Sequence, residues 1–259
     1  MLSFAMPVAY DYRYFYRALD SIYDIADEIV VGLDRDRISW SGKPFELDEV
    51  ELRAEIQKAD TRGIVKIVQD NFHSSDQPMV NDSEERNTLA RHCAPGSWII
   101  QIDSDEQALN AKDFRTWMQN ADREKDVQAK WITVFKTFGD QCLVANEPDG
   151  KVSVGTTQPG AYKYARETGR PKVPSNLLLL HFSWGRTREE LAQKLVNWSH
   201  SKDFDTTKFL EFWDSVNLTN YRQVKNFHPL YPPLWSGLSL VKIPAPRTRM
   251  PIARSVSAS

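Results

Sequence analysis

The sequence is poor in cysteine and has no long apolar run, and each absence excludes a class of protein. Two cysteines, Cys93 and Cys142, occur in 259 residues. They form neither a disulfide framework nor a metal-binding spacing, so free thiols in a reducing compartment are expected. No apolar run approaches the ~18 residues of a membrane-spanning helix. Polar and aromatic residues follow Val8 at once, so no signal peptide is recognisable. We expect a cytoplasmic protein, with contact at a membrane surface as the alternative.

The chain also lacks an excess of charge of either sign. Its 33 Lys and Arg residues face 35 Asp and Glu residues, which gives a net charge of −2. No overall basic field therefore points to nucleic acid as a partner. Residues 1–17 contain no glycine. A dehydrogenase would need Gly-x-Gly-x-x-Gly after its first strand, and a sugar-phosphate nucleotidyltransferase a glycine-rich basic loop there, so both are disfavoured.

What the sequence does contain is a regular alternation of strands and helices. Continuous apolar runs predict buried strands, and apolar residues at helical spacing predict amphipathic helices. Predicted strands cover 2–8, 28–33, 63–69 and 98–102; predicted helices cover 12–26, 47–58, a stretch from 82 or 83 to 92, and 113–121. This alternation is typical of a doubly wound α/β fold with a parallel sheet.

After residue 129 the pattern changes. Strands are predicted at 130–138, 141–146, 151–154 and 177–182, and helices at 188–199 and 207–216. The segment 159–174 is irregular and contains the basic residues Lys163, Arg166, Arg170 and Lys172. We expect a mobile active-site loop there, which closes over a diphosphate or meets an anionic acceptor. A solvated basic loop is the alternative.

The segment WIIQIDSDE at 98–106 is the most informative part of the chain. Because an unpaired carboxylate is costly to bury, Asp103, Ser104 and Asp105 should lie just past the end of the apolar strand. Ligands bind at this edge in open α/β sheets. In an extended segment, residues i and i+2 point the same way, so both carboxylates could face one site and suit Mg²⁺ or Mn²⁺. A turn with solvated acids is the alternative.

Three segments together resemble the family 2-like glycosyltransferases of the GT-A fold. They are ADEIVVGLD at 26–34, ERNTLAR at 85–91 and WIIQIDSDE at 98–106. Their order and spacing match the family's acidic strand end, its Arg-Asn helix and its aspartate-any-aspartate motif. The match covers residues 1–110 well, is looser up to about 185 and is weak beyond.

The resemblance implies a Rossmann-like, mostly parallel sheet flanked by helices, and a hexosyltransferase activity. The donor would be a nucleoside-diphosphate sugar, with UDP favoured, and the acceptor a glycan or another hydroxyl compound. It implies a GT-A nucleotide-sugar-binding and catalytic domain at 1–185 and a helical C-terminal segment at 186–247. The composition of 248–259 predicts a disordered tail.

The resemblance also assigns roles to individual residues. Asp34 would hydrogen-bond the base, Arg86 would approach the diphosphate, and Asp105 would hold the metal. The residues expected to bind the donor are Met6, Pro7, Asp34, Asp36, Arg86, Asp103, Ser104, Trp184 and Arg186. Those expected to bind Mn²⁺ or Mg²⁺ are Asp103, Asp105 and His181. A divalent cation and an arginine would stabilise the departing diphosphate. Structural roles are the alternatives for Arg86, His181 and Trp184.

The sequence does not fix a catalytic base. An inverting enzyme needs a carboxylate beside the acceptor hydroxyl. The family often supplies it from a Glu-Asp pair in the acceptor half, and residues 130–180 contain no such pair. The candidates are Glu106, Glu147 and Asp149, although the Glu-Pro-Asp-Gly run that holds the last two is also an ordinary turn. A retaining enzyme would need no such base.

Two further functions stay open at this point. The first is a degenerate GT-A domain that binds nucleotide or glycan without turnover, which the lack of a clear base favours. The second is a sugar-phosphate nucleotidyltransferase, which shares the α/β build and the use of a metal.

Overall fold

The computed structural model describes residues 1–147, 150–197 and 203–243. Its strands are β1 (Leu2–Val8), β2 (Glu28–Asp34), β3 (Val65–Asp70), β4 (Trp98–Gln101), β5 (Glu106–Ala108), β6 (Asp126–Phe138), β7 (Gln141–Ala145), β8 (Lys151–Thr156), β9 (Lys172–His181) and β10 (Leu238–Lys242). Its helices are α1 (Tyr12–Ile22), α2 (Glu49–Ala59), α3 (Pro78–His92), α4 (Ala111–Met118), α5 (Arg188–Asn197) and α6 (Thr206–Ser215). The predicted tail at 248–259 lies outside the described residues.

Four parallel strands form the centre of the sheet, in the order β3-β2-β1-β4. Phe4 of β1 is opposite Ile29 of β2 and Ile100 of β4, and all three side chains are fully buried. Strands covered by helices on both faces need such continuous apolar runs. The predicted α/β class is therefore confirmed, and the first four strands lie within two residues of their predicted bounds.

The second half of the sheet is mainly antiparallel. β8 pairs antiparallel with both β4 and β6, and β7 and β10 continue the sheet beyond β6. β9 returns parallel to β6 and also pairs with β5. Only two residues connect β6 to β7, and one of them is Gly139 with φ of 62°. A connection this short can join only antiparallel strands, which explains the change of pairing.

Helix α3 differs from its predicted start. The helix begins at Pro78, and not at Asp82 or Ser83 as a capping role for those residues had predicted. Proline suits the first turn of a helix, because its missing N–H would have no partner there. Asp82 is thereby placed inside the helix, where its carboxylate accepts a hydrogen bond from Arg86 one turn later.

The C-terminal segment packs on the sheet through a second hydrophobic core. Phe135 and Trp184 contribute to this core from the sheet side, and Leu191, Trp213 and Trp235 contribute from beyond residue 185. The segment is not only helical, because β10 adds a strand that the sequence analysis missed. The division at residue 185 stays a prediction. None of the helices in the described part of the chain is long and apolar enough to cross a bilayer.

Helix α1 provides a test of the main core. Leu19 is fully buried and lies on the apolar face that α1 packs against the sheet. We expect Leu19→Ala to lower the free energy of unfolding by about 2–5 kcal/mol in urea titrations, because it leaves a cavity. The control is Val50→Ala on α2, where 81% of the residue is exposed and a change within about 0.5 kcal/mol is expected. Equal effects of the two substitutions would contradict the packing described.

Candidate functional site

A cavity of about 480 Å³ opens at the carboxyl ends of β1, β2 and β4. This volume lies within the ordinary range for small-molecule sites. Pro7, Asp34 and Asp103 line it from the ends of these three strands. The rest of its wall comes from the segments after β1 and β2, from α3 and from later parts of the chain. The later residues include Trp131, Thr133, Glu147, Arg166, His181, Lys194 and Trp235. The cavity therefore occupies the edge at which the sequence predicts a ligand.

The structure brings most of the predicted site residues together. Those that line the cavity are Pro7, Asp34, Arg86, Asp103, Ser104, Asp105, Glu147, His181 and Trp184. Four others do not line it. Met6 is fully buried in β1, Asp36 is exposed, and Glu106 and Arg186 are buried behind the wall. Asp149 lies outside the described residues.

Asp34 organises the loop that follows β2. Its Oδ1 accepts backbone hydrogen bonds from Asp36 at 3.0 Å and Ile38 at 2.9 Å, and its Oδ2 accepts one from Phe72 at 2.8 Å. Oδ2 can accept one more hydrogen bond. The Asp36 side chain is exposed, and its backbone N–H donates to Asp34. Binding of the donor by Asp36 stays a prediction.

The Asp-Ser-Asp segment is a turn rather than an extended strand. The backbone N–H of Glu106 donates to the carbonyl of Asp103 at 3.0 Å, and the Glu106 carboxylate accepts from the backbone N–H of Asp103 at 2.9 Å. The Ser104 hydroxyl donates to Asp11 at 2.7 Å. Because the segment turns, Asp103 and Asp105 have different partners, although both line the cavity. The two carboxylates therefore face one cavity, as expected, but from a turn and not from an extended strand.

Two arginines neutralise Asp103. Arg86 on α3 donates to Oδ1 at 2.8 Å, and Arg166, from the loop before β9, lies 2.7 Å from Oδ2. Burial acts to raise the pKa of the Asp103 carboxyl, but the charges of Arg166 and Arg86 outweigh it and hold the pKa well below its usual range. Nη1 of Arg166 is buried and donates to no atom of the described residues.

Three basic side chains surround Asp105. Arg186 donates to Oδ2, Lys194 donates to the same oxygen at 3.3 Å, and Nε2 of His181 lies 3.5 Å from Oδ1. Burial acts to raise the pKa of the Asp105 carboxyl, but Lys194, His181 and Arg186 outweigh it and the pKa is lowered. The imidazole of His181 also stacks on the Trp131 ring, with 4.6 Å between the ring centroids.

This arrangement does not fit the predicted three-ligand metal site. In the described residues, no group of three or more His, Cys, Asp and Glu side chains is placed to hold a metal ion. The oxygens of Asp103 receive donors from Arg86 and Arg166, and those of Asp105 face three basic groups. A divalent cation would have to displace buried positive charges to reach these oxygens. Ligation by Asp103, Asp105 and His181 stays a prediction.

The two described candidates for a base have different surroundings. The Glu106 side chain is fully buried, and its oxygens accept from Trp131 Nε1 at 2.6 Å and from Arg166 at 2.9 Å. The backbone N–H of Asp103 is a third donor to the Glu106 carboxylate. With three donors bound to it, Glu106 is poorly placed to take a proton from the hydroxyl of a sugar acceptor. Glu147 lines the cavity, and Thr133 donates to it at 3.4 Å. Burial raises the pKa of its carboxyl, which makes it the stronger candidate.

Sequence reasoning missed two cations at the cavity wall. Arg166 was expected in a mobile or solvated loop, but it is 5% exposed and paired with Asp103 and Glu106. Lys194 was not singled out at all. It follows Leu191 by three residues, so it lies on the buried face of α5. A lysine on an apolar face is rarely buried without a partner, and that spacing was the available signal.

Comparisons with known proteins leave the family open. No family model and no curated protein matches the sequence. One similar solved structure is HddC from Yersinia pseudotuberculosis complexed with GMP-PN, with a TM-score of 0.42, 7% identity, and coverage of 74% of this chain and 97% of that one. A nucleotidyl transferase from Methanothermobacter has a TM-score of 0.33 and 11% identity. The match covers 84% of this chain and 99% of that one. A mannose-6-phosphate isomerase from Helicobacter pylori has a TM-score of 0.36 and 10% identity. The match covers 61% of this chain and 60% of that one. Similarity this low transfers no function.

A buried acid beside the cavity makes stability depend on pH. The Glu85 carboxylate accepts a hydrogen bond from Trp40 Nε1 at 2.6 Å, and burial raises the pKa of Glu85 to about 8. The folded state therefore favours the protonated form. This contribution to stability is complete below the ordinary carboxyl pKa and is lost as the pH rises to about 8.

We expect Glu85→Gln, which stays neutral, to gain stability relative to the wild type as the pH rises from about 5 to 8. The gain is at most about 1.4 kcal/mol per pH unit. Urea titrations at several pH values measure it. The matched control is Glu84→Gln at the exposed neighbouring position, for which the difference from wild type should not change with pH. A constant difference for Glu85→Gln would show that Glu85 is ionised throughout.

Proposed function

We propose that the chain is a glycosyltransferase that moves a sugar from a nucleoside-diphosphate sugar to a hydroxyl acceptor, with UDP as the favoured nucleotide. One observation supports this most strongly. A single cavity combines the basic side chains Arg86, Arg166 and Lys194 with a half-buried carboxylate, Glu147, that follows β7. The basic side chains would stabilise a diphosphate leaving group, and the carboxylate would take the proton of an attacking hydroxyl.

The donor half of the proposed site lies between the strand ends and α3. Ile38, Trp40 and Phe45 line the cavity near Asp34 and offer a partly apolar surface for the nucleobase. Arg86 and Arg166 both line the cavity and carry guanidinium groups that could meet a diphosphate. A guanidinium donor is suited to phosphate, because its charge and its planar N–H groups match the oxygens of the anion.

The acceptor half contains aromatic rings and Glu147. Trp131 and Trp235 line the cavity, and such rings provide large apolar contact areas for a sugar. In the proposed reaction, the acceptor oxygen forms a bond to the anomeric carbon while the bond from that carbon to the diphosphate oxygen breaks. The acceptor proton passes to Glu147, and the electron pair leaves with the nucleoside diphosphate. This route inverts the anomeric configuration.

A sugar-phosphate nucleotidyltransferase is the second candidate. The same three basic side chains would suit a nucleoside triphosphate and a sugar phosphate. The absence of glycine from residues 1–17 argues against it, because the glycine-rich phosphate loop of such enzymes is missing.

The experiment that tests the proposal follows products rather than binding. The protein is incubated with UDP-, GDP-, CDP- and dTDP-sugars, each with and without Mn²⁺, and released nucleoside diphosphate is measured. A parallel set contains nucleoside triphosphates with sugar 1-phosphates, and pyrophosphate is measured. Release of nucleoside diphosphate from one donor, even by slow hydrolysis, supports the glycosyltransferase. Pyrophosphate release alone supports the second candidate, and binding without either product supports a degenerate binding domain.

Glu147→Gln tests the assignment of the base. The substitution keeps the shape of the side chain but removes its ability to accept a proton, so we expect transfer to an acceptor to fall by about 10²- to 10⁴-fold while affinity for the nucleoside diphosphate is retained. Because the pKa of Glu147 is raised, wild-type transfer should also increase with pH through a value above the usual carboxyl range.

The matched control is Glu124→Gln, at a side chain that is 91% exposed, for which wild-type transfer is expected. Initial rates and the binding constant of the diphosphate product are measured for all three proteins. If Glu147→Gln transferred sugar at the wild-type rate, Glu147 would not be the base, and a retaining mechanism or Asp149 would be indicated.

A further inference from the structure

Lys194 is a buried cation at the cavity wall. Its side chain is 7% exposed, and its ammonium group donates to Asp105 Oδ2 at 3.3 Å. The aspartate thus receives a primary ammonium at the place where the resemblance expects a divalent cation. Lys194 lines the cavity, whereas Arg186, which bonds the same oxygen, does not.

The backbone that presents Lys194 is held firmly in place. Leu191 and Leu195 lie on the same face of α5 and are buried in the second core. At the end of the helix, Asn197 Oδ1 accepts a hydrogen bond from Ser39 at 2.9 Å. The helix is thus fixed both to the sheet and to the loop that follows β2. The position of the ammonium group is therefore set by the fold before any ligand binds.

Arg186 and Asp105 have a supporting arrangement behind Lys194. The Arg186 guanidinium contacts Asp105 and also lies 3.3 Å from Asp11, and it stacks over the Tyr14 ring at 4.8 Å. Asp11 in turn accepts a hydrogen bond from Ser104 in the turn. Arg186 therefore fixes Asp105, and Asp105 fixes the ammonium group of Lys194.

Charge makes this arrangement incompatible with a metal ion at the same oxygen. A divalent cation bound to Asp105 Oδ2 would lie within a few ångströms of an ammonium and a guanidinium group that are both buried. Repulsion between charges at such distances is strong where water is excluded. Basic side chains of the protein therefore already occupy the space beside Asp105 Oδ2 that a metal ion would need.

We propose that Lys194 supplies the positive charge that stabilises the diphosphate of the donor, with Asp105 and Arg186 as positioning residues, so that donor binding needs no divalent cation. This inference rests on the proposed function and deepens it. The ammonium group would donate hydrogen bonds to non-bridging phosphate oxygens. As the bond to the anomeric carbon breaks, negative charge grows on these oxygens, and the fixed ammonium stabilises it without transferring a proton.

The first test needs only the wild-type protein. Binding of UDP, GDP, CDP and dTDP is measured by calorimetry in EDTA and, separately, in Mn²⁺. We expect one diphosphate to bind in EDTA with an affinity within about threefold of that in Mn²⁺. Binding that requires Mn²⁺ would overturn the inference and leave the proposed function standing. If no diphosphate bound under either condition, the proposed function would fail, and this inference with it.

The second test uses substitutions of the lysine. We expect Lys194→Gln to weaken binding in EDTA by about 10- to 100-fold, as loss of one charge-assisted hydrogen bond implies, and Lys194→Arg to restore much of it. The control is Lys58→Gln on α2, where 62% of the side chain is exposed and wild-type affinity is expected. Unchanged affinity in a folded Lys194→Gln protein would overturn the inference. If Lys194→Gln does not fold, the comparison of wild-type binding in EDTA and in Mn²⁺ tests the inference by itself.

Discussion

Three carboxylates, two of them buried and Asp103 partly buried, follow one another in one turn, and the site depends on how their charge is compensated. Asp103, Asp105 and Glu106 follow the end of β4, and each lies against at least one cation. The cations come from α3, from the loop before β9, from the segment after β9 and from α5. A buried charge without its partner costs several kcal/mol, so the turn holds these four parts of the chain together. The same interactions leave a basic wall on one side of the cavity.

The parallel half of the sheet explains why the turn lies where it does. Strands covered on both faces must be apolar, and polar groups can appear only where each strand ends. β1, β2 and β4 are neighbours and run the same way, so Pro7, Asp34 and Asp103 meet at one edge. The antiparallel half completes the enclosure, because β6 and β9 bring Trp131 and His181 to the other wall.

Local patterns predicted the first half of the fold and the acidic edge of the site, because strand periodicity and strand ends are local properties. The start of α3 was misplaced because two capping residues, Asp82 and Ser83, lie inside the helix, where Asp82 pairs with Arg86. β10 and the roles of Arg166 and Lys194 depend on contacts between distant residues. An arginine in a loop, such as Arg166, is predicted to be solvated unless the carboxylates that it contacts are known. The turn at Asp103 and Asp105 was also missed, because the Glu106 side chain closes it and this contact is not visible in the strand pattern.

The cavity wall extends in sequence from Pro7 to Trp235, which has a consequence for how the protein is made. Arg186 contacts Asp11 across 175 positions, and Lys194 contacts Asp105 across 89. Contacts between such distant residues form late, because a long loop must close before they are gained. During synthesis, the buried acids of the turn emerge well before their last two cations. Until the segment after β9 and then α5 emerge and dock, the nascent chain holds Asp105 without all of its compensating charge, and this edge of the sheet stays open to water.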